Sequence, residues 1–287
     1  MPARARTTGF GYIAPAFALL GLVLFAPVVY GGWFSLQDIR YGAPTGFGGL
    51  RNYARLFDDP ELGWTVLRTL VHTGLAVAIS LVTSLAIAVW IDGLGRRLGF
   101  FVQIVVIVPW IISTVVAALL FRWVFVSDIG PAAYLLERLG IGAWQPLNSG
   151  PGAMALLVIV SVWKRVGYVV IVLLAGLKGI GEELTEAARI DGASAWQSFL
   201  WITLPLLKTP LLLVTIVLTL ANINTVETPL VVTGGGPADA TRVLAIDVYE
   251  RAFTQFDLGG ATALALLIFA ANIVLVITYV RLTKWRA

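Results

Sequence analysis

Long runs without a single charge decide what this chain can fold into. Residues 10–34, 69–91, 98–121 and 258–280 each exceed twenty residues and carry no Asp, Glu, Lys or Arg. A helix crossing the roughly 30 Å hydrocarbon core of a bilayer needs about 20 mostly apolar residues, because every backbone N–H and C=O must be satisfied inside the segment. Two further segments are apolar enough but less clean: 153–174 carries Lys164 and Arg165 at its middle, and 210–232 carries Glu227. Six spans follow, and the predicted fold is an all-α polytopic membrane protein. Only 13% of the 287 residues are charged, against roughly 25% in a soluble domain, which excludes a soluble enzyme and a disordered chain. With no cysteine and a single histidine, a disulfide scaffold, thiolate chemistry and a Cys- or His-rich metal centre are excluded as well.

The first run follows Arg4 and Arg6 and is too long for the h-region of a secretory signal, so it is expected to remain as the first span. Six spans place both termini on one side, and basic residues choose it. With the N-terminus inside, the inner segments hold Arg4, Arg6, Arg96, Arg97, Lys178, Arg189, Lys208, Arg281, Lys284 and Arg286; the outer ones hold Arg40, Arg51, Arg55, Arg138, Arg242 and Arg251. Both termini are therefore expected in the cytoplasm. Residues 1–63 are read as the N-terminal span and first outer loop, and 64–287 as a five-helix core with a cytoplasmic loop at 176–208. The outer loop 35–63 is Gly- and Pro-containing and expected to be irregular, whereas 131–140 has apolar residues at helical spacing and is expected to form a short helix.

The loop at 176–208 is the most informative stretch. Glu182, Glu183 and Glu186 crowd the start of a short helix, where its dipole favours acidic groups, and Ala187 and Ala188 are strong helix formers without bulk. Gly192 is suited to end that helix in a left-handed cap. Ser194 can cap a second helix running through Trp196 and Phe199 and stopping before Pro205. On these grounds alone the segment is either a compact knob that enters a cleft on another protein or a plain hairpin joining spans four and five.

Glu186-Ala187-Ala188, three residues, Gly192, nine residues, then Ile202-x-Leu204-Pro205 resembles the EAA signature of permease subunits in binding-protein-dependent ABC importers. The surrounding AARIDGASAWQSFLWITLPLL is similar to the carbohydrate-uptake branch, the maltose, trehalose and glycerol-phosphate type. NYARLF at 52–57, VPWIIS at 108–113, LAGLKGI at 174–180, VVTGGGPADAT at 231–241 and VYERAFTQFDLGGATALA at 248–265 extend the likeness over nearly the whole chain. One position departs from it: the family usually has proline where Gly181 stands.

The resemblance implies a transport subunit, not an enzyme, in the cytoplasmic (inner) membrane of a prokaryote. It implies a second homologous permease as heterodimer partner, two separate ATPase subunits that bind ATP and Mg, and an extracytoplasmic solute-binding protein. It also implies that Glu183, Glu186, Ala187, Ala188, Asp191, Gly192, Ala193, Leu204 and Pro205 form the surface coupled to the ATPase, with Glu186 pairing a basic residue there. No cofactor is expected on this chain, since no G-x-x-x-x-G-K-[S/T] occurs, and no nucleic-acid partner is expected.

Charges inside the spans need a partner or a watery cavity, because each costs on the order of 2.5–3.5 kcal/mol on insertion scales. Ser161, Lys164, Arg165 and Tyr168 fall on one helical face, and Asn224, Glu227 and Thr228, with Asn222 nearby, suggest a similar stripe on span five. These residues either line a pathway for a sugar-like solute, pair Lys164 or Arg165 with Glu227 to join the two spans, or meet the partner permease. Gly234-Gly235-Gly236-Pro237 is read as a flexible outer turn, and Arg68 and Arg122 as snorkelling to the interface. His72 is read as a packed or hydrogen-bonded core residue. Trp33, Trp64, Trp90, Trp123 and Trp144 are read as interfacial anchors. A self-contained secondary transporter would show internal repeats with matching broken helices; Pro15, Pro27 and Pro109 show no such correspondence.

Overall fold

A computed structural model describes residues 5–40, 43–126, 129–139 and 145–284. Arg4, Trp144 and Arg286, invoked above, lie outside the described residues. In chain order the elements are α1 (Ala5–Ser35), β1 (Gln37–Arg40), β2 (Ala43–Phe47), α2 (Arg51–Phe57), α3 (Pro60–Asp92), α4 (Arg96–Ile111), α5 (Thr114–Phe125) and α6 (Pro131–Arg138). There follow α7 (Gly150–Lys178), α8 (Glu182–Ile190), α9 (Ala195–Ser198), α10 (Leu204–Leu206), α11 (Lys208–Ile223), α12 (Glu227–Val232), α13 (Leu244–Phe253) and α14 (Leu258–Lys284). Ile13–Ser35, Pro60–Asp92, Gly150–Lys178 and Leu258–Arg281 are each long and apolar enough to cross a membrane. Two bent pairs, α4 with α5 and Ala195–Leu206 with α11, bring the number among the described residues to as many as six when each pair is counted as one span. The chain is a multi-pass, all-α membrane protein.

Three sequence expectations need correction. The loop 35–63 is not irregular: β1 and β2 pair antiparallel, Gln37 opposite Phe47, and α2 follows. The third span is not one rod, because α4 and α5 meet at 93° across Ile112 and Ser113. Pro109 cannot donate to the helical ladder, and Ile112 and Ser113 take extended conformations that stop one helix and start the next. The fifth span ends at Ile223, and Glu227 begins α12 after a break at Asn224. The expected short helix in the outer segment is present as α6, opened by Pro131 at its first turn.

The chain forms two compact units. One comprises residues 1–62 and 247–273. Here Asn52, from the NYARLF segment, is buried and its Nδ2 donates to the carbonyls of Ser35 (2.7 Å) and Gln37 (2.9 Å). Gly259 is required beside it, because a Cβ there would lie 2.7 Å from Asn52 Nδ2. Arg251 bridges Asp59 at 2.7 Å and Asp247 at 3.2 Å. Burial works against that guanidinium's charge, but Asp247 and then Asp59 outweigh it and hold its pKa above the usual arginine value. Asn52→Ala strands two carbonyls and is expected to cost about 1–3 kcal/mol. A fall of roughly 3–8 °C in the detergent-solubilised chain's unfolding midpoint, followed by tryptophan fluorescence, would register it.

The other unit comprises residues 63–246 and 274–287. Its centre is α7, whose Val169, Val170, Leu173, Leu174 and Leu177 are buried with Val77, Ala88 and Ile91 of α3 and Val214 and Leu218 of α11. Lipid is as apolar as leucine, so close packing rather than water exclusion must hold helices together in a bilayer. The sequence meets that demand with small side chains: Thr65, Thr69, Thr73, Ser80, Ser84 and Ala88 are buried along α3, and Gly167 lets the backbones of α7 and α4 touch. His72 is fully buried, with its Nε2 3.2 Å from Ser161 Oγ, as its core reading requires. Trp64, Trp90 and Trp123 are exposed near the ends of α3 and α5, as is Trp33 near the end of α1 in the first unit, where interfacial anchors belong.

Candidate functional site

Residues 176–208 fold as two short helices joined by a tight turn. Gly181 occupies the N-cap of α8 in an extended conformation, a position that proline is not needed to fill. At the far end Gly192 sits at φ +81°. The Gly192 N–H donates to the Arg189 carbonyl (3.1 Å) and the Ala193 N–H to the Ala188 carbonyl (2.9 Å). These are the two bonds of a Schellman motif, in which the left-handed residue is almost always glycine. Ser194 then opens α9 with a capping box: its hydroxyl accepts from the Gln197 N–H, and the Gln197 side chain accepts from the Ser194 N–H.

The second helix does not stop before Pro205, as the sequence suggested. A single π-turn, Phe199–Thr203, carries it into α10, with Pro205 in that helix's first turn, and it bends by 65° into α11 at Leu207. The wider turn takes up the ring that an α-helical turn would clash with.

Ala188 is only 8% exposed, so it packs inward, while Glu183, Glu186, Ala187, Asp191 and Gly192 are exposed. Ala193 and Leu204 are half-buried and Pro205 is exposed. Three large apolar side chains outside the predicted coupling set are exposed beside them: Ile190 at 87%, Trp196 at 66% and Trp201 at 78%. Ile190 is an apolar residue at the end of a charged stretch, whereas Trp196 and Trp201 lie in the uncharged run 192–207 and carry no such mark in the sequence. A cavity of about 290 Å³ lies beneath the knob, lined by Asp92, Thr185, Arg189, Ser198, Phe199 and Thr203 among others.

The mid-membrane polar residues are rearranged relative to expectation. No ion pair joins Lys164 or Arg165 to Glu227 among the described residues. Lys164, only 9% exposed as a residue, donates its ammonium instead to the carbonyls of Pro109 (3.1 Å), Trp110 (2.9 Å) and Ile112. Arg165 donates through Nη2 to the Ala221 carbonyl (3.3 Å) and through Nη1 to Asn222 Oδ1 (3.1 Å). Asn222 in turn donates to the Leu218 carbonyl (2.8 Å). Ser161 is buried against His72, and Tyr168 stacks on Trp110 with ring centroids 5.7 Å apart.

Asn224, Glu227 and Thr228 do not form one stripe, because the break at Asn224 separates them. Asn224 and Glu227 are exposed at that break, Thr228 is buried, and Thr225 Oγ1 donates to Glu227 Oε2 (3.1 Å). Arg122 does more than snorkel, since its Nη1 donates to the Val231 carbonyl in α12 (3.2 Å). The Gly234–Pro237 run is a bonded turn: the Thr233 and Thr241 hydroxyls lie 2.7 Å apart, and Thr241 Oγ1 donates to the Gly236 carbonyl at 2.7 Å.

The described residues thus hold four long apolar helices and two bent pairs, with a structured knob between α7 and α11. Residues 80–286 match the family described as "Binding-protein-dependent transport system inner membrane component", and the chain belongs to it. It is 33% identical over 275 residues to the sulfoquinovosyl glycerol transport system permease protein SmoG of Agrobacterium fabrum, a match covering 95% of this chain and 89% of that one. It is 33% identical over 265 residues to the sn-glycerol-3-phosphate transport system permease protein UgpA of Brucella abortus, covering 92% and 90%. The trehalose/maltose transport system permease protein MalF of Thermococcus litoralis is 29% identical over 284 residues, covering 99% and 96%. In fold the chain is similar to a chain in the crystal structure of a bacterial alginate ABC transporter in complex with an alginate-pentasaccharide-bound periplasmic protein. The TM-score is 0.82 at 21% identity, over 94% of this chain and 91% of that one.

Proposed function

We propose that this chain is one permease subunit of an ATP-driven importer for a sugar or a sugar-phosphate-like solute in the cytoplasmic membrane of a prokaryote, with both termini inside. A second homologous permease completes the pathway as a heterodimer. Two ATPase subunits holding ATP and Mg dock on the cytoplasmic side, and a solute-binding protein delivers from outside. The observation that carries this reading is the knob at 176–208. It is locked by its Schellman turn and capping box, and it presents Ile190, Trp196 and Trp201 beside Glu183, Glu186 and Asp191. Exposed apolar anchors with a polar rim are what a groove on a partner recognises.

Within the membrane, Asn224 and Glu227 are exposed at the break of the fifth span. They are the residues we assign to hydrogen bonding with solute hydroxyls. The relatives named for sulfoquinovosyl glycerol, glycerol phosphate and trehalose/maltose support this solute class.

The test is isolation of the tagged chain in mild detergent from its native membrane, then reconstitution into liposomes with what accompanies it. Recovery with ATPase subunits and a second permease, and ATP-dependent uptake of a sugar-like solute, is expected. Recovery of the chain alone, with uptake driven by an ion gradient and indifferent to ATP, would overturn the reading.

A further inference from the structure

We infer that Lys164 and Arg165 cap two interrupted helices, one on each side of α7, and that α7 thereby holds both interruptions in register with the 176–208 loop. The part played by the loop rests on the function proposed above; the capping itself does not.

A helix that ends inside hydrocarbon leaves its last four carbonyls without partners, at the negative end of its dipole. Each unsatisfied group there costs several kcal/mol. Both α4 and α11 end this way. At the end of α4, Lys164 spends its ammonium on the carbonyls of Pro109, Trp110 and Ile112, and an ammonium has only three protons to donate. At the end of α11, Arg165 takes the Ala221 carbonyl and the Asn222 side chain. Consecutive residues on a helix project about 100° apart, so two adjacent cations can serve two different neighbours where one could not. The cost of placing charge at this depth is offset by carbonyls that would otherwise be stranded. A lysine with its protons committed and 9% of its surface exposed has little left to offer a solute, which distinguishes it from Asn224 and Glu227.

The connection to the loop is mechanical. From Lys164 the helix runs unbroken to Lys178, about 21 Å at 1.5 Å per residue, and α8 of the knob begins four residues later. The chain leaves the knob through α11, whose far end is the one Arg165 holds. The near ends of α7 and α11 are equally close, since a Cβ on Gly176 would lie 2.8 Å from Pro210 Cγ. Pinned at both ends, α7 and α11 form a stiff hairpin. A displacement of the knob therefore reaches both interruptions through residues 164 and 165. Both are positioning residues.

The experiment uses the assembled importer with its ATPase and binding-protein partners in liposomes. This chain has no cysteine, so spin labels at Ile111→Cys and Leu184→Cys, both exposed positions, mark the α4 end and the knob without competing sites on it. Lys164→Met is expected to broaden the distance distribution between the labels and to lower maximal uptake at least tenfold. The binding-protein concentration for half-maximal uptake should stay the same. Lys164→Arg, which retains the charge and the donors, is expected to keep the narrow distribution and uptake within about threefold.

An unchanged distribution in Lys164→Met overturns the proposal, and if uptake falls all the same the lysine acts on the solute. A broadened distribution with full uptake also overturns it, because the interruption would then not transmit. Should Lys164→Met fail to assemble, Lys164→Gln is read in the same way, and wild-type distances would again overturn it. If the wild-type complex shows no ATP-dependent uptake, the function proposed above fails while the distance measurement still decides the capping.

Discussion

Valine at position 192 is expected to silence the stimulation of ATP hydrolysis by loaded binding protein, by tenfold or more, while the permease still inserts and assembles. Gly192 stands at φ +81°, a region that costs an ordinary L-residue about 1–2 kcal/mol and a β-branched one more. The added side chain itself meets nothing within 4 Å, so the effect is purely conformational. The Schellman bonds from Gly192 and Ala193 back to Arg189 and Ala188 must be surrendered or strained. A nine-residue helix is too short to survive that on propensity alone. The knob would lose the fixed angle between α8 and α9 that presents Ile190 and Trp196 together. Gly192→Asn is the control, because asparagine tolerates the left-handed region, and it should retain most of the stimulation. Equal stimulation in the valine and wild-type complexes would remove the turn from the coupling mechanism.

Gly167→Leu is expected to act one level lower, on the fold itself. A Cβ at 167 would lie 2.2 Å from the Val106 carbonyl oxygen and 2.8 Å from Ile107 Cα. Both obstacles are backbone, so no rotamer change relieves them and α4 must move off α7. Overpacking of this kind costs typically 1–3 kcal/mol and occasionally more. The same movement would draw the α4 carbonyls away from Lys164, one turn earlier on α7. A drop of roughly 5–10 °C in the unfolding midpoint in detergent, with a reduced yield of monodisperse chain, is the expected result. A wild-type midpoint would mean that α4 and α7 are not in backbone contact.

The six spans were legible because a bilayer makes the same demand on every crossing helix, and uncharged runs of that length have no other explanation. The knob was legible for a different reason: Gly192 and Ser194 are residues whose backbone and capping preferences are local. The interruptions were harder to read because apolar windows average over them. Nothing charged marks the corner between Ile112 and Ser113, and only Pro109, followed by Ser113 at an N-cap, hinted at it. In the fifth span, Glu227 and Pro229 three and five residues after Asn224 are the signature of a new helix start, which hydropathy hides. Lys164 and Arg165 were seen as charges in need of partners, which was right. That the partners are carbonyls rather than Glu227 depends on where two helices end, and spacing along α7 carries no trace of that.

Tethering also has an electrical consequence. A unit charge carried across the whole membrane field exchanges about 2.3 kcal/mol per 100 mV, and this span places two of them near its middle. Each is tied to the backbone of a neighbouring helix, so neither can traverse the field as a voltage sensor's arginine does. The pair thus gives the membrane potential little to pull on.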